Sequence, residues 1–159
     1  MKFSFRIFKK GFTLLEIMIA ISVMTIGIMG IYALVPKIIS IGGANNNRFI
    51  ASQLAREGLE IVRNIRDTNW LEGNSFDQGL NNGDWRVQYN RDYLLSFSDE
   101  PLKIDAQGFY NYNSDQLTKF KRKVTISHPE SNNLDVKIQI TWSGKGSPFI
   151  IKEKIYDWK

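Results

Sequence analysis

Between residues 12 and 35 the only charge is Glu16, and the apolar run that surrounds it ends at Pro36 and Lys37. A helix over residues 17–36 is about 30 Å long, the hydrocarbon thickness of a bilayer, so this stretch predicts a membrane-spanning segment. Pro36 lacks the amide that a continuous helix needs, and a kink or local opening is expected there. Gly42, Gly43 and the asparagines at 45, 46 and 47 weaken helical continuity again, leaving bending, breaking and fraying all open. From about 47 to 67 the period changes to an amphipathic one. Ile50, Leu54, Gly58, Ile61 and Ile65 form a stripe flanked by Ala51, Ala55 and Val62, with charged residues on the other surface and an asparagine as the expected cap. Glu60–Arg63 and Arg63–Asp67 have the spacing of surface ion pairs.

Residues 68–84 are rich in Asn, Gly, Asp and Ser and read as a loop anchored by Trp70, Leu71 and Phe76. Alternation of apolar and polar positions then predicts strands: a first near Trp85, Val87 and Tyr89, and three stronger ones over 117–127, 134–142 and 149–156. In the middle one Val136, Ile138, Ile140 and Trp142 point one way and Asp135, Lys137, Gln139 and Thr141 the other, as in an antiparallel sheet with one covered face. Turn-rich segments at 128–133 and 143–148 join these strands as a meander. The chain thus reads as α+β, a long amino-terminal helix, membrane-spanning and then amphipathic, packed on a three- or four-stranded antiparallel sheet.

Charge adds an orientation. Four of the 21 basic residues (Lys2, Arg6, Lys9, Lys10) lie in the first ten, leaving 17 against 16 acids from Gly11 onward. That excess keeps the amino side cytoplasmic and places the head across the membrane, and the net charge of +5 reports topology more than an anionic partner. The absence of cysteine removes disulfides and thiolate metal sites.

Lys9 and Lys10, the hexapeptide GFTLLE over residues 11–16 and the uncharged helix occur in the order of a prepilin processing site. In this the chain resembles type IV prepilins and type II secretion pseudopilins, most closely a minor pilin. The resemblance implies a pilin-like fold, and a leader of residues 1–11 removed by a prepilin peptidase that cuts between Gly11 and Phe12 and methylates Phe12. It further implies a filament-core helix over 12–36, an amphipathic segment over 37–67 and an extracytoplasmic head over 68–159. Glu16 corresponds to the family's acidic residue that meets the new amino terminus of a neighbour during assembly, and Pro36 to a proline that lends flexibility. The implied partners are the peptidase, other pilins or pseudopilins in a helical filament and an inner-membrane assembly platform. The family's usual carboxy-terminal cysteine pair is missing.

On physical grounds alone, Glu16 needs a partner or must snorkel to the headgroups, since an unpaired carboxylate inside an apolar helix is costly. Alternatives to the filament subunit are a secretion pseudopilin, a single-pass anchor bearing an extracytoplasmic binding module, and a secretory signal peptide, for which the uncharged run is long. Gly27 and Gly30, with Ala20, Ser22 and Thr25, offer notches for helix approach.

Other candidate chemistry is sparse. The basic run over 119–123 is the best candidate for DNA or surface binding, against a solvated strand. Asp77, Asn81, Asn82 and Asp84 carry oxygens suited to calcium, but turn chemistry accounts for the same residues and no cofactor is called for. His128, the single histidine, falls in an expected turn with no motif around it, so no enzyme is expected and no catalytic residue is nominated.

Overall fold

The computed structural model describes residues 11–157, so the basic leader and Trp158 lie outside the described residues. The chain divides into two compact units, Met1–Gly42 and Gly43–Lys159. A single helix, α1 (Leu14–Leu71, 58 residues), runs through the described residues of the first and opens the second.

In the first unit every residue from Gly11 to Gly42 is exposed. The hydroxyls on this segment are satisfied locally: Ser22 Oγ donates to Met18 O at 2.8 Å and Thr25 Oγ1 to Ile21 O at 2.7 Å. Neither hydroxyl therefore demands a partner from outside, which makes the segment fit for an apolar environment. Pro36, Gly42, Gly43 and the three asparagines all lie within α1. Asn47 accordingly is no cap, and the amphipathic segment continues the membrane-spanning one as a single helix, with no break between them.

In the second unit Ala51, Leu54, Ala55, Leu59, Val62 and Ile65 on α1 are buried. This stripe is the predicted one, extended to Leu59 and Asn69. The helix ends four residues beyond the expected limit, and the stop is a glycine. Gly73 takes φ +77°, its amide donates to Trp70 O at 3.2 Å and that of Asn74 to Asn69 O at 2.8 Å. This pair of bonds satisfies carbonyls left over at a helix end. Buried Asn69 then fastens the following loop, donating from Nδ2 to Gln78 O at 2.8 Å and Phe76 O at 3.2 Å. Phe76 and Leu80 enter the core, whereas Leu71 is 89% exposed and anchors nothing.

The main sheet has five strands in the order β2-β1-β6-β7-β8, all neighbours antiparallel. The meander β6 (Lys121–Glu130), β7 (Asn133–Thr141) and β8 (Phe149–Tyr156) is the predicted trio. Short strands β1 (Gly83–Arg86) and β2 (Leu95–Ser96) widen it beyond the expected four. A second sheet, β4-β3-β5, joins β3 (Lys103–Ile104), β4 (Tyr110–Asn111) and β5 (Gln116–Leu117). Leu117 therefore belongs to the small sheet and not to β6.

At its other end β6 runs past the expected turn to Glu130, which pairs with Asn133, and a register shift between Ser127 and Glu130 accommodates Pro129. Along β7, Leu134, Val136, Ile138 and Ile140 are buried on the helix side, as the alternation predicts. They meet the helix where it has no side chain: a Cβ on Gly58 would stand 3.4 Å from Ile138 Cγ2. Trp142 closes the core against Phe120, with ring centroids 5.9 Å apart.

Candidate processing and assembly site

Helix α1 begins on a hydroxyl. Thr13 precedes the first helical residue, its carbonyl accepts the Ile17 amide at 3.2 Å and its Oγ1 accepts the Glu16 amide at 3.3 Å. Thr13 is thus the N-cap and Glu16 the third helical residue, where a carboxylate is favoured by the helix dipole. The Thr-x-x-Glu spacing is the sequence signal for such a start.

It is the backbone amide of Glu16, not its carboxylate, that is bound. Among the described residues the carboxylate has no hydrogen bond or ion pair. Ahead of the cap, Gly11 and Phe12 are exposed and outside the helix, with Phe12 at 79%. Among the described residues a Cβ on Gly11 would meet nothing within 4 Å, so none of them requires glycine at that position by crowding. Behind the cap, α1 is long and apolar enough to cross a membrane, by length and composition, and its most apolar window has no buried residue.

The prokaryotic N-terminal methylation motif matches residues 8–32. The chain carries a type IV prepilin-like signal. That signal takes in the cap, Glu16 and most of the apolar helix, and implies processing by prepilin peptidase and assembly with other pilins. It points to a structural subunit rather than an enzyme, and with the apolar helix it is consistent with a single-pass anchor. No curated protein and no solved structure matches the chain. The prepilin-like signal covers only the amino-terminal part, while the helix-and-sheet arrangement of the remainder is α+β and pilin-like.

The other sequence candidates are dispersed by the fold. The basic run over 119–123 does not form one solvated face. Arg122 is 1% exposed, and its guanidinium donates to Leu54 O, Val87 O and Glu57 Oε1. Its neighbours turn outward to carboxylates, Lys121 to Asp99 at 2.6 Å and Lys123 to Asp84 at 3.2 Å.

The oxygens considered for calcium serve four separate contacts. Asp77 accepts from Ser75, Asn81 O accepts Trp85 Nε1 at 2.8 Å, Asn82 Oδ1 accepts the His128 amide at 2.8 Å, and Asp84 accepts Thr125 Oγ1 at 2.6 Å. His128 lies in β6, half-buried, with Nδ1 2.7 Å from Asn82 Oδ1 and Nε2 3.6 Å from Asp77. It holds the loop after α1 against the sheet. Glu60 pairs with Arg63 as the spacing predicts, but Arg63 reaches Glu153 on β8 and not Asp67, which pairs with Arg66. The Glu153 hydrogen bond, above all, raises the Arg63 pKa.

Proposed function

We propose that the chain is a prepilin held in the cytoplasmic membrane, head outward, and assembled as a minor subunit of a type IV pilus or a related filament. In this reading the peptidase cuts between Gly11 and Phe12 and Phe12 becomes the methylated amino terminus. The glycine is then required by the enzyme, since none of the described residues requires it by crowding. Glu16 sets register by meeting a neighbour's new amino group, and the free state of its carboxylate supports that role. The exposed apolar segment leaves lipid to pack against its like in the filament core, with Pro36 as the flexible point. The basic leader supports a cytoplasmic amino end. The cysteine-free sequence and the β6–β8 succession support a minor subunit.

The observation that carries the reading is the coincidence of the methylation motif with a capped, wholly exposed apolar helix. Intact mass and amino-terminal sequencing of the chain from membranes and from sheared filaments test it. Loss of residues 1–11 with a methyl group on Phe12, and recovery in the filament fraction, are expected. A stable functional product that retains its leader would overturn the reading and leave an ordinary anchor.

A further inference from the structure

The outer face of the main sheet, opposite α1, is a charged surface with one unbalanced spot. One cross-strand row runs Asp84, Thr125, Lys137, Lys152 over β1, β6, β7 and β8. Asp84 at one end is engaged by Thr125 and Lys123. In the next row Lys154 faces Asp135 across 3.7 Å. Lys137 and Lys152 stand directly opposite one another, and among the described residues neither makes an ion pair or hydrogen bond with an acid, the charge of Lys137 acting on Asp84 only from a distance. Directly opposed like charges destabilise a sheet. Lys152 is exposed and Lys137 half-buried, and both line an open groove of about 380 Å³ with Thr125, Ser127 and Lys154 and with two acids, Asp135 and Glu153. The nearby acids are already engaged, Asp135 by Lys154, Glu153 by Arg63 and Asp84 by Thr125 and Lys123, so the pair carries surplus positive charge and has the character of half a contact.

We propose that the Lys137–Lys152 pair receives exposed carboxylates from an acidic loop of the adjoining subunit, a contact that rests on the filament reading above. Charge complementarity selects the occupant. A nucleic-acid strand needs an uncompensated basic track, and here Asp84 and Asp135 interrupt the lysines on either side. Two surplus cations at one cross-strand position fit one or two carboxylates. Such a contact joins unlike surfaces, the kind that repeats along an open helical assembly.

Carbodiimide cross-linking of sheared filaments, followed by peptide mass spectrometry, tests the proposal, since the reagent joins an amine only to a carboxylate in contact with it. Links Lys123–Asp84 and Lys154–Asp135 within one chain serve as internal controls. A link from Lys137 or Lys152 to a carboxylate of another subunit is expected, and Asp92 or Asp115 of a second copy counts among these. The variant K137Q/K152Q should enter filaments about tenfold less while its melting temperature holds or rises, and K137R/K152R should enter normally. Wild-type chain in filaments with control links but none from Lys137 or Lys152, or normal entry of the glutamine variant, would overturn the contact alone. Absence of wild-type chain from filaments would overturn the filament reading together with it.

Discussion

Arg122 Nη1 donates to the backbone carbonyl of Leu54 at 3.1 Å, tying the start of β6 to the last third of α1. The same guanidinium holds Glu57 at 3.1 Å and, through Nη2, Val87 O at 2.7 Å at the end of β1. One buried cation thus fixes the helix, the central strand β6 and the end of its neighbour β1 together. Buried charge is tolerated only when paired and hydrogen-bonded, and Arg122 meets that condition at Nη1 and Nη2 with acceptors from two other segments, while its Nε is buried without a partner among the described residues.

Replacing Arg122 by alanine leaves Glu57 and two carbonyls without their donor and opens a cavity. Breaking a buried pair costs about 3–5 kcal/mol, but Glu57 is 31% exposed and can rehydrate, so about 2–3 kcal/mol is expected. Arg122→Met, which keeps the volume, should lose about half as much. Denaturant unfolding of the full chain in detergent, followed by tryptophan fluorescence, measures both; equal stability of Arg122→Ala and wild type would show the linkage to be idle.

The phase of β6 explains why this residue is hard to read and how it can be read. Phe120, Arg122, Val124 and Ile126 share one face, and three of the four are apolar. Composition makes the KFKRK run look solvated, while period-two counting back from Val124 places Arg122 in the core. The meander was legible because its strands alternate cleanly and are separated by turn residues. Strand β1 was legible in the alternation at Trp85 and Val87, whereas β2, β3 and β5 were not, because two residues carry too little alternation to mark a strand. The processing segment was the most legible part, since its signal is local; its N-cap was legible too, in the Thr13-to-Glu16 spacing.

At Gly58 helix and sheet approach closely. A Cβ there would lie 3.2 Å from Arg122 Cδ and 3.4 Å from Ile138 Cγ2, and three hydrogen bonds hold Arg122 in place. Alanine in a helix normally gains about 1 kcal/mol over glycine. That gain should be cancelled in Gly58→Ala, and Gly58→Val should cost about 1–3 kcal/mol by overpacking. Gly43→Ala is the control, because its Cβ meets nothing within 4 Å and the propensity gain should survive. A Gly58→Ala variant stabilised as much as Gly43→Ala would contradict the close approach.

Asp84 gives the head a sensitivity to acid. The Thr125 hydroxyl, and then Lys123, hold its carboxyl below the usual carboxylate value. A depressed pKa contributes stability that is full above the unfolded value, about 3.9, and is lost as pH falls through the lower folded value. The side chain is 40% exposed, so the effect is modest and weakened by salt. The melting temperature of Asp84→Asn should therefore trail wild type at pH 6 and converge on it near pH 3. A gap unchanged between those two pH values would assign the difference to packing.

Thr13 and Glu16 can be separated because the bond between them uses the Glu16 amide and leaves the carboxylate free. Thr13→Ala removes the cap, at a cost of about 1 kcal/mol to the first helical turn, and should speed hydrogen exchange at the Glu16 amide. Glu16→Leu keeps the amide and its acceptor, so exchange there should stay near wild type. In detergent the leucine variant is also the more apolar and should partition into membranes at least as well. If the carboxylate serves a neighbouring subunit, Glu16→Leu should nevertheless fall about tenfold or more in sheared filaments, with processing at Gly11 still visible by mass. Filament recovery equal to wild type would leave Glu16 with no role beyond the start of its own helix.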